Sequence, residues 1–377
     1  MTTPSERELR IASISDIHVG HPRTPTAHIL DNLYKAFPNN ESTAKLDVIF
    51  IAGDFFDRLL KFPDPDIPEI ELWILYMLRM AAQHDIVIRV LEGTPSHDWK
   101  QSSVFERINT NANIGCNLKY VSDLRIETIP ELDSTILYIP DEWGDSTESS
   151  LSQVQELMTA KGLNRVDYAI MHGHFPHQLP EVARTKKVHN TEAYLRLVDK
   201  LIFIGHDHHF SVHERIISHG SFDRLGHGEE APKGHIRAVV KSRDNYRITF
   251  VENKGAKIYK TIDVKDWTLE EALINLKDVV ESLPLDSAIR IVCKAGSPLA
   301  SSLDVLAKRW PGIKWDKKVI DSDGSVIEVV NQYDEDEFVP VEITKDNIGP
   351  LLMARIVTRA ADEKILANAE KFINEIK

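Results

Sequence analysis

Most histidines of this 377-residue chain occur with aspartates or glycines in short clusters that follow apolar runs. All 16 histidines lie at or before His235, and the clusters are Asp16-Ile17-His18, Gly53-Asp54, His97-Asp98, His172-Gly173-His174 and Gly205-His206-Asp207-His208. Short apolar runs are typical of buried strands, and open α/β sheets bind ligands at the carboxyl ends of their strands. The pattern therefore predicts imidazole and carboxylate groups at one rim of a sheet, a combination that suits transition metals.

The spacing within the clusters indicates which side chains share a site. Two residues separated by one position point to the same face of a strand end, and three clusters have this spacing: Asp16 with His18, His172 with His174, and His206 with His208. Asp54 follows a glycine, which lets the backbone bring its carboxylate close to a metal, and a carboxylate has two oxygens with which to bridge two cations. One such pair is common in proteins without metals, but five clusters in this order predict a dinuclear metal site.

The composition is that of an ordinary soluble globular protein, with 42% hydrophobic and 27% charged residues. The net charge of −13 argues against nucleic-acid binding through bulk electrostatics, although a bound metal pair would add positive charge locally. Cys116 and Cys293 show no pairing pattern, which favours a cytoplasmic location. For a protein of phage origin, this would be the cytoplasm of the host cell. No apolar run reaches the ~20 residues needed to span a membrane, and residues 1–10 are not typical of a signal peptide.

Alternating apolar and amphipathic segments predict an α/β domain over residues 1–265. Helices are expected at residues 69–83, with Leu72, Leu75, Tyr76 and Leu78 or Arg79 at helical spacing, and at residues 149–161. Residues 236–240 and 246–251 are predicted to form a hairpin. The composition shifts near Ile262, where a helix at 268–283, a strand at 288–294, a helix at 299–310 and a strand at 313–319 predict a small α/β domain over residues 266–333. An acidic linker and two helices, at 345–358 and 361–376, are predicted for residues 334–377.

The order of the clusters resembles that of the calcineurin-like metallophosphoesterases over about residues 10–265. Their motifs D-x-H, G-D-x-x-(D/H), G-N-H-(D/E), H and G-H-x-H are matched by Asp16–His18, Gly53–Asp57, Gly93–Asp98, His172–His174 and Gly205–His208. Within that superfamily the chain is most similar to SbcD-type DNA repair nuclease subunits and their bacteriophage counterparts. The resemblance implies a two-sheet sandwich flanked by helices, followed by a small α/β capping domain and a C-terminal helical segment.

The resemblance also implies the metal ligands. It assigns Asp16, His18, Asp54 and His208 to one metal, and Asp54, His172 and His206 to a second. The asparagine that usually supplies a further ligand is replaced in this chain. Aligning on His97-Asp98 puts Ser96 at its position, with Thr94 or a backbone carbonyl as alternatives. Because a serine hydroxyl is a weaker ligand than an amide carbonyl, the second site is expected to bind its metal less tightly.

Three further residues are implied to act on the substrate. His97 would face the scissile phosphate and stabilise or protonate the leaving oxygen. Asp57 would orient the substrate or a neighbouring histidine. His174 extends the pair that begins at His172 and would lie beside the ligands.

The function implied is a two-metal phosphodiesterase acting on DNA, as an exonuclease or endonuclease in recombination and repair. Manganese is the implied metal, although the mixed nitrogen and oxygen ligands also suit iron or zinc. The implied partners are DNA, an SMC-like ATPase of the SbcC type bound through the C-terminal helices, and a second copy of the chain. Two alternatives remain: a small-molecule or protein phosphoesterase, and a catalytically weak scaffold for the ATPase. The residues from Asp266 onward favour the nuclease, because a single-domain phosphatase does not need them.

Overall fold

The structure, a computed structural model, describes residues 8–141, 146–179, 188–321 and 324–330. Within these ranges the chain forms three β-sheets, two of six strands and one of four. Contacts group residues 1–332 into one compact unit and residues 333–377 into another. The acidic linker and the helices predicted at 345–358 and 361–376 fall in the second unit and lie outside the described residues.

The first sheet has three clusters at the carboxyl ends of its parallel strands. These strands are β1 (Leu9–Ile14), β2 (Val48–Ala52), β3 (Val87–Leu91) and β4 (Leu118–Val121), and a hairpin of β11 (Gly234–Ser242) and β12 (Asn245–Glu252) joins β1 in antiparallel fashion. The order is β12-β11-β1-β2-β3-β4. Every residue of β2 and β3 is buried, since both faces of the sheet are covered. This accounts for the apolar sequence of β2 and, apart from Arg89, that of β3, where the buried guanidinium pairs with Glu127.

The second sheet carries the other two clusters. Its strands are β5 (Arg125–Ile129), β6 (Ser134–Ile139), β7 (Val166–His172), β8 (Val198–Gly205), β9 (Ser211–His213) and β10 (Ile216–Ser218), in the order β5-β6-β7-β8-β10-β9. The four inner strands are parallel, and β5 and β9 are antiparallel edges. His172 pairs with Gly205 at the ends of β7 and β8, so the segments that follow these strands begin side by side.

A central core fills the space between the two sheets, where the rings of Phe50 and Phe203 are 6.1 Å apart. Helices α1 (Thr26–Ala36), α3 (Ile67–Gln83) and α5 (Val104–Asn111) pack on the outer face of the first sheet, and α6 (Thr147–Ala160) and α7 (Thr191–Leu197) on that of the second. Short helices α2 (Glu41–Ala44) and α4 (Pro95–Asp98) lie in the connections. The predicted two-sheet sandwich flanked by helices is confirmed. None of the described helices is long and apolar enough to cross a membrane.

The third sheet has the order β13-β14-β15-β16, with strands β13 (Tyr259–Asp263), β14 (Ala288–Lys294), β15 (Lys314–Ile320) and β16 (Val326–Val330). Helices α8 (Leu269–Glu281) and α9 (Leu303–Arg309) share its core with the buried Trp315. Thr268 and Glu271 form a reciprocal capping box at the start of α8, as a Thr-x-x-Glu sequence predicts. The sheet begins at Tyr259, earlier than the boundary at residue 266 that the sequence indicates.

Two element predictions need correction. Helical spacing places Leu72 on the apolar face of the helix at 69–83, but it is 60% exposed, and Trp73, Ile74 and Met77 are buried instead. This helix is apolar on most sides, so the sheet beneath it selects the buried face. The helix predicted at 299–310 is a 3-10 turn, Pro298–Ser301, followed by α9. The hydroxyls of Ser301 and Ser302 both donate to the carbonyl of Pro298, and such bonds compete with helix formation.

Candidate metal centre

The loops that follow β1 and β2 are held together at the rim of the sheet. Asp16, His18 and Asp54 adopt left-handed φ angles of 51°, 55° and 49°, which cost free energy for non-glycine residues and persist where other contacts hold them. The amides of Ile17 and His18 both donate to the carbonyl of Asp54, at 2.8 and 3.1 Å. These hydrogen bonds fix three of the predicted ligands side by side.

Gly53, which precedes Asp54, and Gly93, in the loop before His97, permit a close approach between loops. A Cβ on Gly53 would clash with the ring of His172, and a Cβ on Gly93 would clash with the backbone of Asp54. Gly53 also has a φ of +88°, a conformation that L side chains rarely adopt. A side chain at either position would therefore push the ligand loops apart.

The first ligand cluster consists of Asp16, His18 and His208, whose ligand atoms all lie within 4.8 Å of one another. His18 Nε2 is 3.2 Å from His208 Nε2, and His208 Nε2 is 4.0 Å from Asp16 Oδ1. Asp16 and His18 are buried, and His208 is half-buried. Two imidazole nitrogens and one carboxylate oxygen converge on this point; these are three of the four residues that the resemblance assigns to one metal, the fourth being Asp54.

The second cluster consists of Asp54, His172 and His206, again within 4.8 Å. Asp54 Oδ2 lies 3.2 Å from His172 Nε2 and 3.9 Å from His18 Nε2, which belongs to the first cluster. This carboxylate thus stands between the two clusters, where it is able to contribute to both. The backbone amide of His206 donates to Asp16 Oδ1 at 2.9 Å, so the loop after β8 is tied to the loop after β1.

In each of three histidines, the hydrogen-bond partner of Nδ1 determines that Nε2 is the nitrogen left to face a metal. Nδ1 of His172 donates to the carbonyl of Ala52 at 2.8 Å, which leaves the lone pair on Nε2. Nδ1 of His18 lies 3.1 Å from the Asp57 carboxylate, and Nδ1 of His208 lies 2.7 Å from the Glu229 carboxylate. Metal-binding histidines commonly have such acceptors on the opposite nitrogen, which orient the ring and raise its basicity. The donor set therefore fits two divalent cations.

Burial and neighbouring charges set the protonation of the cluster. Burial raises the pKa of Asp16, although His172 and His208 partly oppose it. Burial by itself would raise the pKa of Asp54 and lower that of His172. The attraction between the two side chains outweighs burial, so the pKa of Asp54 is lowered and that of His172 is raised. Metal ligands must be deprotonated. Binding of cations at this cluster would therefore release protons and would weaken as the pH falls.

Thr94, and not Ser96, is the hydroxyl residue that the fold brings to the second cluster. Thr94 Oγ1 lies 3.2 Å from Asp54 Oδ2, 3.2 Å from His206 Nδ1 and 3.4 Å from His172 Nε2. The side chain of Ser96 is exposed, because the short helix α4 begins at Pro95 and turns it outward. The alternative that Thr94 takes the place of the usual asparagine is thus the one that agrees with the geometry.

The three residues expected to act on the substrate surround the ligands. His97 Nδ1 donates to the carbonyl of Asp57 at 2.6 Å, and its ring packs edge-on against that of His18, with centroids 5.0 Å apart. The Asp57 carboxylate bonds to His18 and so orients a ligand. The ring of His174 packs against that of His206, with centroids 4.4 Å apart. Asp98 is buried and accepts from the amides of Phe56 and Gly93, which makes it a tie between loops.

Glu229 is a site residue that the sequence did not reveal. Its carboxylate lies 2.7 Å from His208 Nδ1 and 3.1 Å from Lys233 Nζ, and it also accepts from the hydroxyl of Ser221. Lys233 Nζ in turn donates to the carbonyl of His208 at 2.8 Å. The pair therefore holds both the ring and the backbone of this ligand. Glu229 belongs to no motif in the sequence, so no local signal marked it.

The loop that carries Glu229 is fastened to the third sheet. His227 Nε2 lies 2.8 Å from Asp316 Oδ2, and their side chains are 1% and 2% exposed. Glu230 accepts from the amide of Thr261 at 2.8 Å. The third sheet is thus fixed next to a loop whose central residue orients a predicted metal ligand.

A comparison with family models shows the family to which this chain belongs. The sequence model of the calcineurin-like phosphoesterase family matches residues 9–210. Two solved structures, one of them TT1561 of Thermus thermophilus, are each similar at 11% sequence identity and a TM-score of 0.37, over 65% of this chain and 99% of their own. A comparison with curated proteins gave no match.

Proposed function

Because the chain belongs to the calcineurin-like phosphoesterases, we propose that it is a two-metal phosphodiesterase that cleaves DNA. When bound, two divalent cations would supply Lewis-acid activation of water and of the phosphoryl group. Asp16, His18 and His208 would hold one of them. Asp54, His172 and His206, with Thr94, would hold the other. We propose manganese as the metal.

His97 is proposed to assist the leaving group. Its Nδ1 donates a hydrogen bond to the carbonyl of Asp57, with the two atoms 2.6 Å apart. Nε2 is therefore the nitrogen left to contact the substrate. In its protonated form the imidazole is able to donate a proton from Nε2 to the leaving oxygen, a role that typically contributes about 10²–10⁴ in rate. Asp57 keeps both His97 and His18 in place, through its carbonyl and its carboxylate respectively.

The attachment of the third sheet beside the metal centre is the observation that carries the choice of DNA. A phosphoesterase needs only the metal ligands to hold a phosphate. This chain adds a four-stranded sheet and joins it to the Glu229 loop through the buried His227–Asp316 pair. A second body fixed next to the reacting phosphate widens the surface that a long substrate is able to contact. Polymeric DNA fits this arrangement better than a small phosphoester does.

The test is hydrolysis by the full-length chain with manganese. We expect cleavage of single-stranded and double-stranded oligonucleotides, and loss of that activity in Asp54→Asn. Hydrolysis of a chromogenic phosphodiester without DNA cleavage would instead indicate a small-molecule phosphoesterase. Absence of both activities, at full metal occupancy, would indicate a scaffold.

An SMC-like ATPase of the SbcC type and a second copy of the chain are the proposed partners. The predicted helix at 361–376 has an apolar stripe that includes Leu366 and Phe372, and helices of this kind bind grooves through a few apolar anchors. Charging Leu366 and Phe372 should abolish co-purification of the ATPase, whereas Lys371→Glu, which changes a residue off the stripe, should not.

Truncation at Val339 should keep ATP-independent cleavage. If the truncated chain unfolds, these helices belong to the core of the protein itself. Sedimentation analysis tests whether the chain forms a homodimer.

A further inference from the structure

Trp99 is an exposed aromatic residue two positions after His97. Its side chain is 55% exposed, although indole rings are mostly buried in folded proteins. Its Nε1 donates to the carbonyl of Ser96 at 2.7 Å, which favours one orientation of the ring. An exposed indole with a preferred orientation thus lies on the same loop as the imidazole proposed to assist the leaving group.

The backbone that presents this indole is strained. Trp99 and Lys100 are consecutive residues with left-handed φ angles of 48° and 57°. The buried carboxylate of Glu92 holds this turn by accepting from the amide of Lys100 at 2.7 Å and from the hydroxyl of Tyr120 at 2.6 Å. Strain that the surrounding structure maintains is concentrated at functional sites. A simple surface loop would not need two such residues in succession.

The indole lines a cleft beside the loop that carries His97. The cleft has a volume of about 460 Å³, and its lining includes Gly93, Pro95, Trp99, Lys100, Pro140 and Asp141. Gly93 packs so closely on Asp54 that a Cβ there would clash with it. One wall of the cleft is therefore formed by backbone that packs against Asp54, the residue between the two ligand clusters.

The lining selects a flat, aromatic group attached to a phosphate chain. An indole and two prolines provide apolar surface suited to a planar ring, and the exposed Lys100 adds a positive charge to a lining that also contains the Asp141 carboxylate. Stacking on aromatic side chains is how single-stranded nucleic acids are commonly bound without regard to sequence. The geometry points to a nucleobase-stacking subsite on Trp99, which holds a nucleotide next to the scissile phosphate. This inference rests on the proposed action on DNA.

The test combines variants of Trp99 with abasic substrates. Trp99→Ala should raise KM for a single-stranded oligonucleotide about tenfold, from the loss of one stacked base, and leave kcat nearly unchanged. An abasic site next to the cleavage position should raise KM of the unaltered protein by a similar factor. The abasic oligonucleotide should then be cleaved equally well by Trp99→Ala and by the unaltered protein. Trp99→Phe should retain most of the affinity.

The controls separate this inference from the proposed function. Leu72→Ala, a change of an exposed apolar side chain on α3, should alter no kinetic constant. Metal content and melting temperature of Trp99→Ala should stay unchanged, and if this variant does not fold, Trp99→Phe and the abasic substrate on the unaltered protein still decide the result. DNA cleavage whose KM is unchanged by Trp99→Ala, or unchanged by the abasic site, would overturn the subsite alone. Absence of DNA cleavage in the unaltered protein would overturn the proposed function and the subsite with it.

Discussion

Glu229→Gln is expected to lower both the stability of the protein and its affinity for metal. The substitution removes a charge that faces His208 Nδ1 at 2.7 Å and Lys233 Nζ at 3.1 Å. Glu229 is 19% exposed and Lys233 is 0% exposed. The variant would therefore keep a buried ammonium group that has lost its nearest carboxylate, and a ligand histidine without an anionic partner.

Two arguments agree on the size of the stability loss. Removing one partner of a buried ion pair costs about 3–5 kcal/mol, and we expect the lower end because Lys233 keeps the carbonyl of His208 as an acceptor. Burial raises the pKa of Glu229, but His208 and Lys233 outweigh it and bring the pKa from 4.5 to about 2. That difference corresponds to about 3 kcal/mol.

The same pKa predicts the pH range in which the contribution disappears. The pKa of Glu229 is lower in the folded protein than in the unfolded chain, so the unfolded chain binds more protons in that range. The stabilisation is therefore complete above pH 4.5 and is lost as the pH falls toward 2. Glu229→Gln should lack this part of the acid destabilisation.

Urea unfolding of the metal-free protein and manganese titration measure the two effects separately. We expect the free energy of unfolding to fall by about 3 kcal/mol and the manganese affinity to fall about 10–100-fold, as is usual when the acceptor behind a metal-binding histidine is lost. The double variant Glu229→Gln/Lys233→Met should recover stability but not affinity. Unchanged affinity in Glu229→Gln would refute the role of Glu229 in orienting His208, and a double variant as unstable as the single one would refute the unpaired lysine as the cause.

Three further changes test the ligand assignment. His97→Ala should lower kcat by about 10²–10⁴-fold while metal content, measured by elemental analysis, stays nearly unchanged; loss of metal would make His97 a ligand. Asp54→Asn should lose metal and activity together, because this carboxylate stands between the clusters, and full activity at saturating manganese would contradict a dinuclear site. Thr94→Val removes the hydroxyl while keeping the shape, so it should raise the manganese concentration needed for half-maximal activity, and Ser96→Ala should not; the reverse outcome would restore Ser96 as the ligand.

The position of the ligand residues at the rim of the sheet could be predicted from the sequence, because the signals that indicate it are local. The clusters at Asp16 and Asp54 directly follow apolar runs, and parallel strands place their carboxyl ends at the same edge. This is sufficient to bring Asp16, His18 and Asp54 together without knowledge of any other contact. The helix caps are local for the same reason: the Thr268–Glu271 capping box needs only a spacing of three residues.

The tertiary structure decided which side chains complete the site, because those contacts join distant segments. Thr94 reaches the second cluster, and Ser96 does not, since helix α4 turns the loop before His97 and the packing of Gly93 on Asp54 sets its depth. Glu229 lies 21 residues after His208, and only the fold of the intervening strands brings the two side chains together. Likewise the buried face of α3 was selected by the sheet beneath it. The residue pattern thus determined where the candidate metal centre lies, and the closure of long loops determined what surrounds it.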